Sequence, residues 1–168
     1  MNSEQVRDMM QDALQSSEAD QTELVAAISN NALTWYAENI IHQNVAEHTA
    51  QVSVRAVVGK KVGSASTTDL TKDGLAFAVQ KAEQAARLMP DDPDFPGLPA
   101  PFASTSAGAQ GTVEGRVSSA ASLQPGERVL AVKKIIERSE RAGLRAAGTY
   151  QIQNTELAVL SSTGVDVH

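Results

Sequence analysis

The chain has 168 residues, 42% apolar and 20% charged, with a net charge of −6, a composition that fits a folded domain with a real core and excludes disorder throughout. It contains no cysteine, which rules out disulfides, cysteine zinc ligands and a cysteine nucleophile within it. The acidic balance argues against direct nucleic-acid contact, and no apolar run approaches the roughly 18 residues of a membrane span, so a soluble, cytoplasmic protein with no membrane partner is expected.

In chain order, Val6, Met9, Met10 and Leu14 recur at helical spacing, with Ser3 placed to cap, and predict an amphipathic helix over 3–15. Residues 20–28 turn β-like. Ser29-Asn30-Asn31 supplies turn residues before 33–37, so a hairpin is expected. Ile40–Glu47 and Gln51–Val58 read as two further strands, the second alternating Val52, Val54 and Ala56 with polar neighbours. A turn at Gly59-Lys60-Lys61 then leads into 62–66 and completes a meander of about five strands.

Thr71 is placed to cap a helix through about Met89, with Leu75, Val79, Ala82, Ala86 and Met89 as its apolar stripe. Prolines end it, and 90–123 reads as a Pro/Ser/Gly-rich loop excursion, exposed and mobile over 103–123. Pro125 and Gly143 bracket another helix whose inner face is expected to hold Val129, Val132, Ile135, Ile136 and Ala142. Glu137 and Arg141 pair on its solvated side. Leu144–Ile152 and Glu156–Leu160 read as strands joined at Gln153-Asn154-Thr155, and Ser162-Thr163-Gly164 as a turn into Val165–His168. A four-residue strand just past a turn is near the minimum length, so the C-terminus reads as cut, with a natural short edge strand as the alternative. The fold class is α+β, a largely antiparallel mixed sheet with two long packing helices and an N-terminal helix.

Two of the three histidines, His42 and His48, raise the question of a metal site. On a continuous strand six steps keep both rings on one face but hold them about 20 Å apart, and on a helix they do not form an i,i+4 pair. Neither spacing suits zinc, whose ligand nitrogens lie only about 2 Å from the ion. No G-x-S-x-G occurs, and Ser161-Ser162-Thr163-Gly164 is better explained as a turn. Gly59-Lys60-Lys61-Val62-Gly63 places its lysines wrongly for a phosphate loop, and Asp91, Asp92 and Asp94 lack the glycine and terminal glutamate of a calcium loop. The residues by themselves reveal no catalytic centre.

The stretch Leu33-Thr34-Trp35-Tyr36-Ala37-Glu38-Asn39-Ile40-Ile41-His42-Gln43-Asn44-Val45, running into VSVRAVVGKKVGSASTTDL, resembles the N-terminal region of the TldD/PmbA metallopeptidases, also labelled modulators of DNA gyrase. The resemblance continues through AVQKAEQAARLMPDDPDFPGLPAP and the AGTY and LAVLSSTG segments, so it covers nearly the whole of 1–168. It implies an α/β N-terminal domain, followed in the parent by a β-rich region with an H-E-x-x-x-H zinc motif whose glutamate serves as general base. That motif is absent here, for Glu47-His48 is followed by Thr49-Ala50-Gln51-Val52. Trp35-Tyr36 also stands where family members commonly have Arg-Phe. The chain is thus expected to be truncated before the catalytic region, inactive alone and without zinc of its own, zinc belonging to the full-length parent. The resemblance implies peptide substrates and a dimer with itself or a related TldD/PmbA subunit. Trp35, Tyr36, Asn39, His42, Gln43 and Asn44 become candidates for peptide or subunit contact. The rival expectations are a free-standing peptide- or subunit-binding module and a protein regulator of DNA gyrase.

Overall fold

The computed structural model describes residues 3–101, 110–111 and 124–167. Elements follow in the order α1 (Ser3–Gln15), β1 (Gln21–Ala37), β2 (Ile40–Val58), β3 (Lys61–Thr67), α2 (Lys72–Leu88), β4 (Gln110–Gly111), α3 (Pro125–Arg141), β5 (Gly148–Ser161) and β6 (Asp166–Val167). The sheet order is β3-β2-β1-β5-β6-β4. β2 and β3 pair antiparallel from Val52↔Thr67 to Val58↔Lys61, β5 and β6 pair antiparallel, and the short β4–β6 pair is parallel. The α+β class and the largely antiparallel mixed sheet are as expected.

Two expected turns and one expected gap between strands are not found. Ser29-Asn30-Asn31 lies inside β1, residues 48–50 inside β2, and Gln153-Asn154-Thr155 inside β5. The meander of five short strands is therefore three strands, β1 to β3, two of them long. Polar side chains favour turns because they can bond their own backbone, but here they have partners across the sheet. Ser29 bonds Thr155, Asn30 bonds His48, and Gln151 donates to Asn31. The predicted strand start at Leu144 moves to Gly148 for a different reason: Leu144 and Ala146 are tied to the β1–β2 turn.

The chain forms two compact units. Unit 1 comprises residues 1–28, 50–113 and 156–168. Along β1 the even-numbered Leu24, Ala26 and Ile28 are buried, and they share one core with Val6 and Met10 of α1, Val52 and Val54 of β2, and Leu75, Val79 and Ala82 of α2. Each of the Val, Leu, Ile and Met side chains among them contributes about 1.5–3 kcal/mol by leaving water, the alanines less. α2 begins where the cap at Thr71 is expected, its hydroxyl accepting from Gly74 N at 3.1 Å, and its stripe is buried except at Met89, which ends the helix half-exposed. β3 lies so close to α2 that Gly63 has no room for a side chain. Gly59, at φ +63°, makes the turn into β3, which already includes Lys61. Prolines 90, 93, 96, 99 and 101 fall in a segment without helix or strand, as expected, whereas the rest of the excursion, 102–109 and 112–123, lies outside the described residues, as does any cap before Ser3.

Unit 2 comprises residues 29–49 and 114–155. Its core is small: Tyr36, Val132 and Ile136, with Ile41, Ala146 and Tyr150 packed around them. α3 runs between the two predicted brackets, with Pro125 in its first turn and Gly143 at φ +66° just past its end. Its inner face differs from the expected one. Ile135 and Ala142 are exposed, and the buried stripe is Arg128, Val132 and Ile136, spaced four residues apart. With so few buried apolar groups among the described residues, unit 2 should be the first part of the chain to open locally.

Candidate functional site

The candidate residues lie in unit 2, on the hairpin of β1 and β2. Glu38 and Asn39 both have positive φ, 50° and 61°, the two-residue turn that matches the strand twist and favours Asn. Asn39 is a fastener. Its Nδ2 donates to Leu144 O at 3.0 Å, its Oδ1 accepts from Ala146 N at 2.7 Å, and its own N–H donates to Ala146 O. Glu38 pairs with Arg145 beside it.

Behind the turn the strand faces separate the candidates. Tyr36 points toward α3 and is buried against Val132 and Ile136, and its hydroxyl lies where a Cβ on Gly148 would come within 3.0 Å. Trp35, the next position along, points the other way, remains 42% exposed, and holds His42 with ring centroids 4.8 Å apart. His42 Nε2 also lies 3.2 Å from Ala37 O. Gln43 is exposed.

One step back along β1, Thr34 bonds not the next residue of β2 but Asn44, at 2.9 Å. One residue of β1 thus answers two of β2, the count of a β-bulge at Gln43. The faces agree, since Ile41 and Asn44 both lie on the α3 side although an odd step separates them. The bulge corrects the expectation for the two histidines. His42 shares the outer face with Trp35, whereas His48 bonds Asn30 on the opposite face, at 2.7 Å. They cannot share an ion from opposite faces of a strand, and no group of three or more His, Asp or Glu suited to a metal occurs among the described residues. The donors present do not fit zinc.

On the α3 side, Asn44 Oδ1 accepts from both Thr34 Oγ1 and Arg128 Nη2, the latter at 3.1 Å, and Arg128 Nη2 also reaches Val45 O. Thr34 and Arg128 are among the most deeply buried side chains described, so this is a rigid polar joint between α3 and β2. Sequence reasoning passed over both. The available signal was that Arg128 sits four and eight residues before Val132 and Ile136, a charged residue on an apolar stripe.

In unit 1, a groove of about 460 Å³ runs beside α2, lined by Ser16, Glu18, Phe77, Glu83 and Arg87 among others. Its buried carboxylate, Glu83, is committed to structure, for Oε1 accepts from Ser17 Oγ and Glu18 N, each at 2.7 Å.

Residues 23–86, from β1 to α2, match the family model of the PmbA/TldA metallopeptidase domain 1. Residues 23–86 thus resemble the first domain of that family. Solved structures agree in fold. TldE from Thermococcus kodakarensis superposes with a TM-score of 0.82 at 20% identity, over 95% of this chain and 36% of that one. A protein described as a modulator of DNA gyrase, from Bacteroides thetaiotaomicron, gives 0.73 at 15% identity, over 97% and 37%. Another so described, from Thermotoga maritima, gives 0.67 at 12%, over 99% and 36%. Among curated proteins, none matches the sequence. The chain thus spans little more than a third of the solved chains it resembles, and no described helix is long and apolar enough to cross a membrane.

Proposed function

We propose that the chain serves as the N-terminal domain of a zinc-dependent peptidase acting on unfolded or small peptides. It forms chamber wall, restricts peptide access and contributes to a dimer, and does not catalyse by itself. The match of residues 23–86 to the first domain of a metallopeptidase family carries the reading. Zinc belongs to the full-length parent, in the H-E-x-x-x-H region that this sequence lacks. The partners are a peptide substrate and a second subunit, either another copy or a related TldD/PmbA chain, in a cytoplasmic setting. Trp35, His42 and Gln43, exposed on one side of the hairpin, are the candidates for peptide or subunit contact, whereas Tyr36, Asn39 and Asn44 hold the fold.

A second reading, a free-standing module that binds peptide or subunit, is favoured by a sheet edge in unit 2 that no described strand covers. The likeness to proteins described as modulators of DNA gyrase supports a third role, regulation of that enzyme without direct DNA contact. The size of the native polypeptide in source cells, read with an antibody to this domain, separates them. A product much heavier than 17.7 kDa, with chelator-sensitive peptidase activity that the 168-residue chain lacks, is expected. A native product of 17.7 kDa would overturn the peptidase reading and leave the binding module.

A further inference from the structure

We draw no further inference here: the strongest candidate, the groove beside α2 in unit 1 lined by the carboxylates of Glu18, Asp73 and Glu83, carries nothing, because Arg87 already pairs with Glu18 and Glu83 and nothing in the structure shows what else would bind there.

Discussion

Replacing Gly63 by alanine tests how tightly β3 is laid against α2. A Cβ built at Gly63 would stand 2.1 Å from Ala86 N, 2.4 Å from Ala82 O and 2.7 Å from Ala86 Cα. All three are helix backbone atoms, so no side chain can swing aside. Non-bonded atoms settle near 3.5–4.0 Å, so α2 must retreat by about 1 Å. A gap of that size forfeits roughly a quarter to a half of each affected contact, and Leu75, Val79 and Ala82 lie along the same face. Overpacking typically costs about 1–3 kcal/mol, and this site belongs at the upper end. We expect Gly63→Ala to lose about 3 kcal/mol in urea unfolding, a fall in Tm of about 6–12 °C for a chain of this size. Gly126→Ala is the control: that residue lies in the first turn of α3 with nothing within 4 Å of the added Cβ, so it should be neutral or gain up to about 1 kcal/mol. A Gly63→Ala variant within about 0.5 kcal/mol of the parent, the range of an unremarkable surface change, would refute the packing argument.

Asn39→Ala should cost about 2–3 kcal/mol, from two lost hydrogen bonds and a strained positive φ. Asn39→Gly should cost less, and an alanine variant as stable as the glycine one would deny the turn its role. Removing the buried carboxylate in Glu83→Ala should cost about 2–3 kcal/mol, because Glu18 N loses its acceptor while Ser17 Oγ keeps Thr22, with Glu83→Gln recovering part of it in the same urea titration. Deleting Gln43 should leave Trp35 against His42 and Thr34 against Asn44, and the fold intact within about 2 kcal/mol; loss of the near-UV signal of Trp35 would remove the bulge. Asp69 accepts from the Thr71 hydroxyl and then from its N–H, and these bonds hold its carboxyl below the usual carboxylate range. Its contribution to stability is therefore present above the unfolded-state pKa and lost as pH falls through the lowered one. An NMR titration should show Thr71→Val raising the Asp69 midpoint, and no movement would mean another cause.

Of the candidate residues, the sequence alone singled out His42, as one of two histidines six positions apart, and the resemblance added Trp35, Tyr36, Asn39, Gln43 and Asn44. It did not reveal that Tyr36, Asn39 and Asn44 serve the fold, or that Thr34 and Arg128 complete the polar joint. Such roles depend on which face a residue occupies, and one extra residue in a strand reverses every face beyond it. His42 and His48 show the consequence: read by count they share a face, but the bulge at Gln43 sets them on opposite ones.

What the sequence determined by itself is what depends on near neighbours. The start of α2 at Thr71, the limits of α3 at Pro125 and Gly143, the turn at Gly59 and the alternation of Val52, Val54 and Ala56 each follow from local φ preference, capping or period. What the tertiary structure decided is where Asn30, Asn31, Gln153 and Asn154 stand. Locally these residues favour turns, but they lie in long strands, where partners distant in sequence, His48 and Gln151, bond Asn30 and Asn31 across the sheet. The burial of Arg128 has the same origin, since only the packing of α3 on β2 brings Asn44 and Val45 to its guanidinium.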